Sequence, residues 1–237
     1  MATKATTTAV TINARLAALC AALLMTACSR AGTPSSSVPA RHEAAVKPSN
    51  ANSKAAVAEI KTGVRAYGHH AYKIALSHFN RALRADPRNF DALYDRSLTE
   101  EKLGAFKRAE TDMYAAVRIR PKSAPARIHL AAAQYHAHHF SDSARNFDIA
   151  LRGQPKAWKL WLDDGVSYYH LHRYGDARKR FARALDLSPR SGRAHYWLGL
   201  AYGHLGNRPK ARAELALAAH SRDGIVRTAA RRALTLK

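Results

Sequence analysis

Four prolines, Pro87, Pro121, Pro155 and Pro189, stand 34 residues apart. The residues upstream keep the same register. Phe79, Met113, Phe147 and Phe181 lie eight before each proline, and Ala82, Ala116, Ala150 and Ala184 lie five before. A fixed period of this length signals stacked copies of one supersecondary unit, because a single copy cannot bury its own apolar face. The segments that end on these prolines, such as "ALSHFNRALRADP" and "ARKRFARALDLSP", carry apolar residues at helical spacing. Proline lacks an N–H and clashes with the preceding turn, so each one closes a helix.

Residues 56–223 divide into five blocks, 56–89, 90–123, 124–157, 158–191 and 192–223. The eighth position is small throughout (Gly63, Ser97, Ala131, Gly165, Gly199), and so is the twentieth (Ala75, Ala109, Ser143, Ala177, Ala211). The twenty-seventh position is Ala in all five blocks, Ala218 being the last. Small residues in fixed register mark where two helices approach closely. At the seventeenth position Tyr72, Phe106, Phe140 and Tyr174 are expected to fill the gap between helices, and Arg208 breaks that row. The turn signals "LGAF", "HRYGD" and "LGNRP" fall mid-block, so each block reads as helix, turn, helix. Asn207 and Ser141 are the expected N-caps of second helices.

Several positions depart from the pattern. Arg96 and Asp164 occupy the seventh position, where Leu130 and Leu198 stand in other blocks. A buried charge needs a partner, so these sites are expected to fray or to hold an ion pair. Asp223 takes the place of the last proline, and Thr62 opens block one weakly, leaving it the least regular. After Gly224, Ile225, Val226, Ala229, Ala230, Ala233 and Leu234 share one helical face, with Arg227, Arg231 and Arg232 opposite. That is the pattern of a solvating end cap.

Trp161, Leu171, Gly199, Tyr202, Leu205 and Gly206 sit at signature positions, and with the four prolines in register the chain resembles tetratricopeptide-repeat proteins over about 168 residues. The resemblance implies an all-α solenoid of about five helix-turn-helix repeats plus a C-terminal capping helix. It also implies a right-handed superhelix whose concave groove is lined by the first helix of each block, mainly at positions 2, 5, 9, 12 and 13. Those positions place Tyr94, Leu98, Ile128, Tyr135, His136, Leu162, Tyr169, His170, Tyr196, Leu200 and His204 in a partner groove. Family members that clamp a C-terminal carboxylate carry Lys and Asn there, and this chain does not. An apolar groove suits an amphipathic helix or an extended apolar peptide. Tyr67, Tyr135 and Tyr169, at the twelfth position of blocks one, three and four, are expected to form a row, as are His136, His170 and His204, one repeat apart.

The N-terminus reads as an address. Lys4 and Arg15 precede an apolar run from Leu16 to Ala27, too short for a spanning helix of about 20 residues but suited to a secretory signal. "LLMTACS" resembles a bacterial lipobox, which implies cleavage after Ala27 and lipidation of Cys28. Ser29 at the next position implies sorting to the outer membrane. Residues 28–55 hold almost no bulky apolar side chain and read as a flexible tether from the lipidated Cys28, spanning roughly 25–30 Å.

The formal net charge is +22, spread along the chain. It is either a solvated Arg-rich surface or a means of meeting an anionic partner. Of the chain's thirteen histidines, seven crowd the mid-block turns ("HH", "HAHH", "HLH"), without HExxH or Cys/His zinc spacing. Neither a GxSxG elbow nor a phosphate loop occurs, and the adjacent Asp163 and Asp164 diverge on a helix, so no enzyme, cofactor or metal is expected. The reading is an outer-membrane lipoprotein facing the periplasm, holding a protein or peptide segment in its groove. Pilotins of type IV pili and Tad-type pilus lipoproteins share this plan, so the resemblance implies a part in assembling a pilus or secretion machine. The alternative is a charge-driven binder of anionic envelope polymers or lipid phosphates. Nucleic acid is the weakest option for an exported chain.

Overall fold

The computed structural model describes residues 51–235, and every regular element in that span is a helix. The signal segment, Cys28 and the tether up to residue 50 lie outside the described residues. The helices are α1 (Ala51–Gly68), α2 (Tyr72–Ala85), α3 (Phe90–Lys102), α4 (Phe106–Ile119), α5 (Ala124–His136), α6 (Phe140–Gly153), α7 (Trp158–His170), α8 (Tyr174–Leu187), α9 (Gly192–His204), α10 (Arg208–Ala218) and α11 (Gly224–Thr235). The first ten pair as hairpins, and each hairpin stacks on the next, α2 against α3 and α4 against α5 onward to α11. Among the described residues no helix touches another more than two places away along the chain. That nearest-neighbour pattern defines a solenoid. None of these helices is long and apolar enough to cross a membrane.

One boundary differs from the sequence reading. Helix α1 begins at Ala51, five residues inside the expected tether. Ala51, Lys54, Ala55 and Ala56 are good helix formers, and Pro48 is the last breaker before them. The first repeat is also fully packed, with Ala56, Ile60, Ala75 and Phe79 all buried.

Hairpins close where the small residues stand. An ideal Cβ on Gly63 would lie 2.7 Å from Phe79 Cε1, and one on Gly165 only 2.5 Å from Phe181 Cε1. The ring of each second helix therefore rests on the bare backbone of the first. After each proline a short turn leads to the next block. Asn89, Ser123 and Ser191, each two residues past a proline, accept hydrogen bonds from the backbone N–H of Ala92, Ala126 and Ala194. This satisfies donors that a helix start otherwise leaves open. Asn207 caps α10 through the Lys210 N–H, as expected. Ser141 does not cap α6, because that helix already begins at Phe140.

Within every hairpin the turn has one residue in the left-handed region, always at the fifteenth position. It is glycine in two blocks (Gly104, Gly206) and histidine in three: His70 (φ 58°), His138 (φ 66°) and His172 (φ 58°). Non-glycine residues seldom adopt this conformation, although His is enriched there. Each of these histidines is held by the aromatic residue two places on. His70 Nδ1 lies 2.9 Å from the Tyr72 hydroxyl and His172 Nδ1 lies 2.8 Å from that of Tyr174, while His138 packs edge-on against Phe140. The crowding of histidine at the turns thus has a local cause.

The misfit charges at the seventh position are ion-paired rather than frayed. Arg96 grips Asp112 with two nitrogens, one at 2.7 Å, and donates to Asn80 at 2.8 Å. Asp164 is 0% exposed and accepts from Arg180 Nε at 2.6 Å. The same guanidinium donates to Asp148 Oδ1 at 2.8 Å and lies over the Tyr168 ring, tying the third repeat to the fourth. Burial pushes the Asp164 carboxyl up to about 7, while the Arg180 hydrogen bond opposes the shift. Asp223, which replaces the fifth proline, caps α11 by accepting from the N–H of Ile225 and Val226. Val226, Ala229 and Ala230 of that helix are buried, with Ile225, Ala233 and Leu234 packed beside them.

Candidate partner groove

The inner helices are α1, α3, α5, α7 and α9, the first of each hairpin. Their eighth residue faces the paired helix, as the Gly63–Phe79 and Gly165–Phe181 approaches show. A helix turns about 100° per residue, so positions 12, 5, 9, 2 and 13 fan out from roughly 40° to 140° away from that direction. Position 6 lies about 160° away, pointing straight off the hairpin. The contact of Tyr94 (position 5) with His129 (position 6), centroids 5.5 Å apart, links α3 to α5 along this inner face.

The expected groove residues fall into two sets. Tyr94, Leu98, Ile128, His136, Tyr169, His170 and Leu200 are half-buried, and His204 is exposed, so these eight line an accessible face. Tyr135 (8% exposed), Leu162 and Tyr196 (0%) are buried, and to that extent the reading of them as open groove lining is corrected. All three belong to the C-terminal core shared by the last three hairpins and the cap. Tyr196 packs on Trp197, and Tyr135 reaches across to the next repeat, where its hydroxyl shares a 2.9 Å hydrogen bond with His170 Nε2. Tyr135 thus joins neighbouring repeats instead of standing clear of them.

The row of histidines is likewise an inter-repeat device. Phe106 stacks on His136, Phe140 on His170 and Tyr174 on His204, with centroids 4.7, 4.8 and 4.2 Å apart. Each pair joins position 17 of one block to position 13 of the next. Position 17 packs within its own hairpin, as expected, Tyr72 on Tyr67, Phe140 on Tyr135 and Tyr174 on Tyr169, and in three blocks it also bridges to the following one. The signal was present as three aromatic–histidine pairs at a spacing of 30 residues, which a search within single 34-residue blocks does not reveal. Burial holds the His170 imidazole down at about 4, with His138 and His172 adding to the shift, and lowers His136 and His204 in the same sense. Their stacked rings are neutral at neutral pH.

Charge is sorted between the two layers. The five inner helices carry eight Lys or Arg against seven Asp or Glu, whereas the five outer helices α2, α4, α6, α8 and α10 carry fifteen against seven. The inner layer is close to balanced and the outer one strongly basic. Two inner bases are also engaged away from the groove, Arg96 with Asp112 and Arg127 with Asn146, while Arg193, at position 2, pairs with Asp223. Burial raises the Glu101 and Asp163 carboxyls to about 7, although Lys102 pulls the first down and Arg193 and Lys159 pull down the second. His129 is held near 4 by burial. Among the described residues no group of three or more His, Cys, Asp or Glu side chains is placed to hold a metal ion.

Stacked helical hairpins with a half-buried, aromatic inner face define an α-solenoid. The profile of the tetratricopeptide repeat matches residues 60–124, 129–177 and 162–224. The chain belongs to the tetratricopeptide repeat family. Its fold is similar to that of YrrB, described as a tetratricopeptide-repeat protein with an unusual peptide-binding site. That pair shares 18% identity over 77% of this chain and 98% of the other, with a TM-score of 0.67. A crystal structure of MamA is similar over 70% of this chain and 90% of its own, at 19% identity and a TM-score of 0.66. MamA from Desulfovibrio magneticus RS-1, residues 41 to its end, gives 16% identity, 69% and 92% coverage and a TM-score of 0.65. No curated protein matches the chain in sequence.

Proposed function

We propose that this protein is a non-enzymatic scaffold that holds a segment of another protein against its inner helices. The observation that carries the reading is the continuous half-buried face formed by Tyr94, Leu98, Ile128, Tyr169 and Leu200 on successive repeats. Peptide binding by a structural neighbour with the same fold supports it. The lipobox-like "LLMTACS" supports an anchor at Cys28, and Ser29 supports an outer-membrane position facing the periplasm. In that setting the scaffold assists assembly of an envelope machine such as a type IV or Tad-type pilus or a secretion system. Photo-cross-linking from positions 98 and 200 in cells tests the groove, and the expected result is one discrete adduct lost in a Tyr169→Ala variant. Adducts equally strong from an outer-helix position such as Tyr114 would refute it. Palmitate labelling that survives Cys28→Ala would remove the anchor.

The basic outer layer favours a second reading, in which the convex face meets lipid phosphates or acidic wall polymers. Such binding falls steeply with added salt, whereas capture of an apolar segment does not.

A further inference from the structure

The net charge of +22 suggests that any ligand of this chain is anionic. The groove itself is built the other way. At its inner face two carboxylates, Glu101 at position 12 of α3 and Asp163 at position 6 of α7, are half-buried and make no ion pair within 4.0 Å among the described residues. Glu101 Oε1 is fully shielded and meets no hydrogen-bond donor. Glu101 stands near Tyr94, whose phenol is raised chiefly by burial, with Asp95 and then Glu101 adding to the shift. A desolvated carboxylate without a donor is costly, and a cationic side chain brought by a ligand relieves that cost.

We infer that the segment held in the groove is a basic one, carrying Lys or Arg between its apolar residues so that they meet Glu101 and Asp163. The inference rests on the groove reading above and specifies its partner. The basic outer layer disfavours such a segment on the outer helices, and the near-balanced inner layer does not. Electrostatic complementarity of this sort gives specificity more than raw affinity. A partner lacking the charges leaves two buried carboxylates unpaired, and an acidic partner adds repulsion to that.

The test uses the full chain and three fluorescein-labelled peptides of about 16 residues, close to 24 Å if helical. Their Leu, Ala and Tyr positions are identical, and the remaining positions are Lys, Gln or Glu. Anisotropy titrations run at about 0.15 M salt, where long-range attraction is screened beyond about 8 Å. The Lys peptide is expected to bind at least about tenfold tighter than the Glu peptide, with the Gln peptide between them. In the Glu101→Gln, Asp163→Asn double variant the Lys and Gln peptides should bind alike. Amides suit desolvated sites, so this variant should fold, and circular dichroism checks that it does. Tightest binding by the Glu peptide, or a Lys preference that survives the double variant, overturns the inference. Equal binding of all three, lost in Leu98→Arg, overturns the charge preference alone and leaves the groove standing. Binding by none removes the groove as well. Displacement of the Lys peptide by an unlabelled copy of residues 29–50, at lower concentration than the Lys peptide itself requires, would assign the groove to the chain's own tether instead of a partner.

Discussion

Replacing Gly165 with Ala should weaken the fourth hairpin, although the same change in an open helix strengthens a protein. The added Cβ would stand 2.5 Å from Phe181 Cε1, 2.7 Å from Cδ1 and 3.0 Å from Arg180 Cβ. Carbon atoms rest at about 3.5–4.0 Å, so the ring must retreat by roughly 1 Å. It has little room to do so. Phe181 is fully buried and lies against Trp197 of the next repeat, with centroids 6.2 Å apart. Overpacking of this kind costs about 1–3 kcal/mol, and the helix preference of Ala over Gly returns about 1 kcal/mol. A net loss of about 1 kcal/mol, or some 2–4 °C in Tm, is the expectation. The third hairpin limits the loss, since Ala131 and Phe147 coexist there at the same two positions. Gly153, at the end of α6, is the matched control: nothing lies within 4 Å of its Cβ site, so Gly153→Ala should hold or raise Tm. Thermal melts of both variants decide the matter. Adding Phe181→Leu to the Gly165 variant should restore part of the loss. A rise in Tm for Gly165→Ala, equal to that for Gly153→Ala, would refute the close-approach account.

Two further outcomes follow from buried ionisable groups. His170 has its folded pKa pulled by burial to about 4, below the ordinary value of 6.5, so its contribution is fully present above pH 6.5 and is lost as pH falls toward 4. The stability gap between the native chain and His170→Phe should therefore shift in favour of the variant by up to about 3 kcal/mol across that window; urea melts at several pH values measure it, and a constant gap would sink the idea. Arg180→Ala leaves Asp164 buried without its partner and should cost about 3–5 kcal/mol, whereas Asp164→Leu with Arg180→Leu should recover much of it; a double variant no better than the single one would show that the pair is not what holds this site.

How much of this protein could be read from residues alone follows from the range of the forces involved. The hairpins, their order and the end cap were legible because proline, glycine and alanine act through local sterics that recur every 34 residues. So was the need for partners at Arg96 and Asp164, since an unpaired buried charge is untenable in any fold. The identity of those partners was not, because Asp112 and Arg180 sit one helix away and look like ordinary surface charges on paper. The groove divides along the same line. Helical periodicity assigned Tyr94, Leu98, Tyr169 and Leu200 to one face of their helices, and all four are half-buried. Only stacking showed that Tyr135, Leu162 and Tyr196 are buried, and that the histidine row is stacked on Phe106, Phe140 and Tyr174 of the preceding blocks. The chain by itself settled its secondary structure and its repeating topology, which depend on near neighbours. Tertiary structure decided which side chains are buried and which carboxylates make close ion pairs, because burial and pairing depend on residues about 16 to 35 places distant.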